Sequence, residues 1–174
     1  EEQVGLITYM RTDALNLSNE FTHQARTVIQ NNFGPQFIAK TPRKFINKNK
    51  RAQEAHEAIR PTDPNRTPES VRKYLDPRQF RLYELIWQRA LASQAAEAQI
   101  DHLSINIEAD SAIFLATGQT ITFPGYLSIY PEQTQEKILP HLTDKEFLKL
   151  LELTTDQHFT QPPARYSDAG LVKQ

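Results

Sequence analysis

Tyr9, Arg11 and Asp13 stand two residues apart in Gly5-Leu6-Ile7-Thr8-Tyr9-Met10-Arg11-Thr12-Asp13. Alternate residues of a strand share a face, so an extended segment would project all three together, with Arg11 close to the Tyr9 phenol. A phenol ordinarily titrates near ~10 and is a poor nucleophile at neutral pH. A guanidinium beside it favours the phenolate and can hold two phosphate oxygens at once. That pairing is what chemistry that puts a phosphoryl group on tyrosine requires. The same spacing also describes a core or boundary tyrosine followed by a surface arginine, and spacing alone favours that plainer description.

A second constellation is Ala52-Gln53-Glu54-Ala55-His56-Glu57-Ala58-Ile59-Arg60-Pro61. On a helix, His56 and Arg60 lie one turn apart, and two donors so placed could clamp one phosphate. No second histidine completes an HExxH pattern, so a metal site is not expected here. A solvated polar helix face fits the same residues. The third is a basic run, Lys40, Arg43, Lys44, Lys48, Lys50 and Arg51, with Phe45 inside it. Cations that track a backbone and an aromatic that can stack on a base suit a single-stranded nucleic acid, although such runs are commonly solvated loops. His23, His102, His141 and His158 show no ligand-like spacing.

The elements that must position these residues are legible from local signals. Val4 to Met10 reads as a short strand. Ser18 is an N-cap for a helix carrying Phe21, Ala25, Val28 and Ile29, stopped at Gly34-Pro35. Arg51 to Arg60 reads as a short helix ended by Pro61, and residues 61–67 as a turn-rich linker. Thr67-Pro68 opens a helix over Glu69 to Leu75, and Asp76-Pro77 opens a longer one running to about Gln99. Its buried stripe is Phe80, Tyr83, Trp87, Ala90 and Leu91. Alternation at Leu103, Ile105 and Ile107, then at residues 113–117 and 120–130, predicts antiparallel strands. Phe147 to Thr155 alternates like a further strand, although Thr143-x-x-Glu146 is a capping-box pattern. Pro162-Pro163 marks a boundary, after which Ser167-Asp168 opens a helix. The expected class is α+β, a helical domain over 1–98 followed by a strand-rich antiparallel segment over 99–161, with residues 162–174 opening a third domain.

Composition is that of an ordinary soluble domain, with 39% hydrophobic and 24% charged residues and a net charge of -1. Nucleic-acid contact must therefore come from a local basic stripe. The chain has no cysteine, which removes disulfides, thiolate zinc sites and thiol catalysis from its repertoire. No apolar run approaches the roughly 20 residues that span a bilayer, and no phosphate-cradling Gly-rich loop is present. The chain reads as an excised fragment of a longer polypeptide.

Taken together, these segments resemble bacterial type IA DNA topoisomerases. Gly5 to Asp13 looks like that family's active-site signature, and Ala52 to Pro61 is similar to a second block. Leu82-Tyr83-Glu84-Leu85-Ile86-Trp87 is similar to a third. Gln157-His158-Phe159-Thr160 with Pro162-Pro163-Ala164-Arg165-Tyr166 is similar to a fourth. They occur in family order over nearly the whole chain. Met10 resembles the topoisomerase I branch, the topoisomerase III branch more often having proline there.

The resemblance implies that Tyr9 attacks a phosphodiester of single-stranded DNA to form a 5′-phosphotyrosine, with Arg11 stabilising the charge on the phosphoryl oxygens. It implies that His56 holds the scissile or an adjacent phosphate, with Arg165 and Ser167 as further phosphate contacts; the pairing with His56 suggests DNA contact for Arg60, and the basic run suggests it for Arg43, Lys44, Lys48 and Arg51. The helical half would be a gate and the strand-rich half part of an arch. Mg²⁺ would sit on an acidic cluster of a Toprim domain upstream of Glu1, beside a Glu and a Lys that assist proton transfer, and no metal ligand is expected in this chain. Partner domains would lie on both sides of it, the molecule being a monomer in the bacterial cytoplasm at the nucleoid. A non-catalytic single-stranded nucleic-acid-binding module is the alternative. Two departures from the family pattern stand out: Ala14 where Ser is usual, and Gly170 where a better helix former is.

Overall fold

The computed structural model describes residues 5–12, 14–45, 57–131 and 136–172. The first helix, α1 (Asn19–Phe33), begins where the Ser18 hydroxyl accepts the Phe21 N–H and ends at Gly34, whose φ of 103° is left-handed backbone that only glycine adopts freely. Helix α2 (Pro68–Val71) is capped by Thr67 and tightens into a 3-10 turn over Arg72–Tyr74. Helix α3 (Pro77–Ala92) opens with a complete capping box: Asp76 accepts the Gln79 N–H while the Gln79 side chain accepts the Asp76 N–H. Phe21, Ala25, Val28 and Ile29 of α1 pack with Tyr83, Trp87, Ala90 and Leu91 of α3, joined by Val71, Ala95 and Ile129.

Strands β1 (Gln99–Ala109) and β2 (Ala112–Phe123) form an antiparallel hairpin closed at Asp110-Ser111, with Asp110 at φ 54°. A bulge at Gln99/Ile100 starts it. Lys137 then pairs with Gln119 of β2 through two backbone hydrogen bonds of 2.9 and 3.1 Å. Gly118 is required there, since a Cβ would lie 2.6 Å from the Lys137 carbonyl oxygen. The chain divides into two compact units, Glu1–Leu139 and Pro140–Gln174. The hairpin thus belongs with the helices in one unit, and the boundaries expected at 98/99 and 161/162 do not coincide with the division. Among its described residues the second unit has one regular element, α4 (Asp168–Val172), which begins where the Ser167 hydroxyl accepts the Gly170 N–H at 3.2 Å.

Several expectations are corrected. Of the segment read as a strand from Val4 to Met10, the described residues make a single bridge, Ile7 to Pro61. Helix α3 stops at Ala92, short of Gln99, because Ala95 leaves the helix to bridge Ile38. The third strand region stops at Phe123 and turns into a 3-10 helix over Gly125–Ser128. Phe147 to Thr155 is neither strand nor helix; its alternation finds no partner strand among the described residues, and Phe147 and Leu151 are fully or almost fully exposed. The Thr143–Glu146 pattern does form, with Glu146 accepting the Thr143 N–H at 2.9 Å, but as an isolated turn. Of the helix expected over Arg51 to Arg60, residues 57–60 are non-helical and 51–56 lie outside the described residues.

Candidate functional site

The site is built outward from α3. Its Trp87 indole N–H donates to the Pro64 carbonyl at 2.9 Å, and the Tyr83 hydroxyl donates to the Arg66 carbonyl at 2.6 Å. Burial pushes the Tyr83 phenol up to about 12, with Asp63 adding to the rise and Arg66 opposing it. These bonds, with Pro61 and Pro64 fully buried, turn the linker 61–67 into a fixed part of the core surface.

The Tyr9 segment is laced onto that surface. The Thr62 N–H donates to Leu6 O at 3.0 Å, the Thr62 hydroxyl to Gly5 O at 2.7 Å, and the Thr8 N–H to Arg60 O at 2.9 Å. The Thr8 hydroxyl then works in both directions. It accepts the Arg60 N–H and donates to the Ala58 carbonyl, each at 3.0 Å. Leu6 and Ile7 pack against the core. Thr8 is thus held at both backbone and side chain, and the chain turns outward immediately after it. Tyr9 is 73% exposed and Met10 equally so.

That placement decides against the core reading of Tyr9. It also changes the geometry expected from a strand. The Arg11 N–H donates to the Tyr9 carbonyl at 2.9 Å, a tight three-residue turn, so the backbone of Tyr9 and Arg11 is not related by strand alternation. Arg11 is half-buried, and Asp13 lies outside the described residues.

The second block meets the first through Ala58 and Arg60. Ala58 is also fixed from its other side, its N–H donating to the Asn16 carbonyl at 2.8 Å. The Arg60 guanidinium donates from Nε to Glu57 and from Nη1 to the Pro61 carbonyl, and it lies 4.6 Å over the Phe21 ring. His56, Lys48 and Arg51 lie outside the described residues.

In the basic stretch, Arg43 pairs with Glu97 at 3.3 Å. Its backbone is clamped by Gln94, fully buried, whose side chain accepts the Arg43 N–H and donates to the Arg43 carbonyl, both at 3.1 Å. Lys44 and Phe45 follow, exposed. In the second unit, Arg165 is exposed and Ser167 caps α4. Sequence reasoning missed Thr8, Asn16 and Gln94 as organising residues. Thr8 sat inside a quoted block, but a Gln in an Ala-rich run gives no signal of its amide clamp.

A family model describing DNA topoisomerase matches residues 2–174. The chain is 47% identical over 187 residues to DNA topoisomerase 1 of Mycobacterium tuberculosis (strain ATCC 25618 / H37Rv), covering 97% of this chain and 20% of that protein. It is 44% identical over 174 residues to DNA topoisomerase 1 of Campylobacter jejuni, covering all of this chain and 25% of that protein. Full-length topoisomerase I from Thermotoga maritima superposes with a TM-score of 0.66 at 33% identity, over 80% of this chain and 22% of that one. The chain therefore spans about a fifth to a quarter of the length of the curated relatives it matches.

Proposed function

The chain belongs to the bacterial type IA DNA topoisomerase family, and from that premise we propose that it supplies the tyrosine that cuts and rejoins single-stranded DNA to relax supercoils. One observation carries the assignment: Tyr9 is the exposed residue directly after Thr8, whose own position is fixed by three hydrogen bonds to the 58–60 segment. A nucleophile must be reachable and yet held in one place, and this arrangement provides both.

The Tyr9 phenolic oxygen attacks the phosphorus as its proton passes to a base. The bond to the 3′ oxygen breaks, that oxygen takes up a proton, and a 5′-phosphotyrosine forms. Re-attack by the 3′-hydroxyl reverses each step, so the bond energy is conserved and no nucleotide triphosphate is consumed. Arg11 neutralises charge on the non-bridging oxygens. His56 holds the scissile or an adjacent phosphate. Arg60, two of whose nitrogens are bonded to Glu57 and Pro61, offers its remaining Nη2 to the same strand. Arg43, Lys44, Lys48 and Arg51 track the backbone beyond, and Arg165 and Ser167 are further phosphate contacts. The helices act as the gate that carries the covalent end, and the hairpin as part of the arch.

Mg²⁺ belongs in this reading to the upstream Toprim domain. This chain's part in the reading is what its own side chains do: Tyr9 attacks and the cations hold phosphate. The complete protein would act as a monomer at the bacterial nucleoid; no described helix is long and apolar enough to cross a membrane.

The test is denaturant-trapped capture of labelled single-stranded DNA by the full-length protein with Mg²⁺, wild type against Tyr9→Phe. An adduct that disappears in the variant is the expected result. An adduct that survives places the nucleophile elsewhere. DNA binding with no adduct from either protein would favour a non-catalytic binding module.

A further inference from the structure

A shallow pocket opens between the start of α1 and residues 42–45, lined chiefly by Asn16, Asn19, Thr22, Arg43, Lys44 and Phe45. We propose that it binds one nucleotide of the strand that Tyr9 cuts, with the phosphate on Lys44 and the base against Phe45. The inference rests on the cleavage reading above.

Position is the first argument. The Asn16 carbonyl, at the pocket, accepts the Ala58 N–H; the Ala58 carbonyl accepts the Thr8 hydroxyl; and Tyr9 follows Thr8. A single residue, Ala58, thus links the pocket wall to the residue before the nucleophile. The pocket and Tyr9 are thus carried on one bonded framework.

Rigidity is the second. Residues 42–45 could have been an ordinary solvated loop, but the two Gln94 amide bonds lock the Arg43 backbone onto the end of α3. Above them, the Ala39 N–H donates to Gln94 O at 3.2 Å, and the Ala96 N–H donates to Phe37 O at 2.7 Å. Arg43 spends its guanidinium on Glu97. Lys44 does not: among the described residues no carboxylate lies within ion-pair distance of it. A cation next to a clamped backbone, with no counter-charge among the described residues, is suited to an anion from outside.

Chemical class is the third. Among the described residues the lining contains no carboxylate to repel a phosphate or to ligate a metal. Phe45 is 40% exposed and presents a ring that any base can stack on. Asn16, Asn19 and Thr22 bring amide and hydroxyl groups that suit the polar edge of a base. Cation, ring and amides together match a nucleotide better than an isolated phosphate.

The experiment uses the full-length protein in a Tyr9→Phe background and single-stranded oligonucleotides in which an abasic residue is walked across the cleavage position. One position near the cut should show about tenfold weaker binding when its base is removed. Phe45→Leu should weaken the intact strand by a similar factor and abolish the dependence at that position alone. Lys44→Gln, at an exposed position where folding is not at stake, should reduce the slope of log affinity against log salt by about 0.7. The proposal is overturned if the abasic profile is the same with and without Phe45, or if the salt slope ignores Lys44. Covalent capture with the wild-type residue at position 9 is run in parallel. Adduct formed with an abasic profile indifferent to Phe45 sinks the pocket alone. Absence of adduct sinks the cleavage reading instead.

Discussion

Replacing Thr8 with valine removes one oxygen and keeps the side-chain shape. That oxygen accepts the Arg60 N–H and donates to the Ala58 carbonyl, both at 3.0 Å and both partly buried. Each bond is worth about 0.5–1.5 kcal/mol net, so Thr8→Val should cost about 1–3 kcal/mol. Global folding should survive, because the Thr8 N–H to Arg60, both Thr62 bonds and the packing of Leu6 and Ile7 are untouched. What is lost is the registration of Tyr9 against the 58–60 segment. If that loss falls wholly on the cleavage transition state, about 1–3 kcal/mol corresponds to roughly 5- to 150-fold in rate. Single-turnover adduct formation by the full-length protein, at saturating DNA and with Mg²⁺, reads it directly. The rate should fall at least about fivefold while DNA affinity changes little. Thr8→Ser, which restores the hydroxyl, should recover most of the rate. A valine variant that cleaves at the wild-type rate despite a lowered melting temperature would show that Thr8 is scaffold only. Affinity and rate falling together would place its effect on binding.

Other consequences can be read from single measurements. Tyr83 stays neutral to about 12 in the folded protein but ionises near ~10 when unfolded. Between those values the unfolded state binds fewer protons, so stability should hold below about pH 10 and fall as pH rises through that window. Tyr83→Phe should flatten the fall, seen in denaturant midpoints across pH. Asp76→Ala removes the cap on Arg78 and Gln79 and should cost about 1 kcal/mol, measurable by chemical unfolding. Gln94→Leu leaves the Arg43 N–H and carbonyl without their partners. It should destabilise by about 1–3 kcal/mol and raise protease sensitivity near residue 43. The isolated 174-residue chain should not relax supercoiled plasmid in a gel assay; relaxation by the pure chain would contradict the need for an upstream domain.

Elements with local signals were legible in the sequence. Ser18 and Gly34, Thr67-Pro68 and Asp76-Pro77 delimit their helices because capping is decided within a few residues. The α1 and α3 stripes followed from helical spacing, except that Phe80 is only partly buried and stacks beneath Arg72 at 4.9 Å. The hairpin was legible from alternation. Long-range partners were not. Val4 to Met10 has strand composition, yet its Gly5–Thr8 stretch is held by linker carbonyls, N–H groups and a threonine hydroxyl, none of which has a sequence pattern. Phe147 to Thr155 alternates properly, but alternation does not create a partner strand. Gln94 looked like one more helix former, and its burial depends on a segment about fifty residues away in the chain.

Arg60 has two roles that one substitution separates. From sequence it is a phosphate ligand one helical turn from His56. In the structure it is first a brace: Nε bonds Glu57, Nη1 bonds the Pro61 carbonyl, and the plane lies over Phe21, joining α1 to the backbone that pins Thr8. Lysine carries the same charge but cannot make two directed bonds and stack at once. If Arg60 served only as a charge for phosphate, Arg60→Lys would keep stability and most DNA affinity. If the brace matters, Lys should lose nearly as much stability as Ala. That loss is about 1–2 kcal/mol for a partly exposed pair with a cation–π contact. Both variants should slow Tyr9 adduct formation beyond their effect on binding, since the Arg60 N–H and carbonyl are the groups that Thr8 grips. A lysine variant as stable and as fast as wild type would return Arg60 to the role of a simple surface cation.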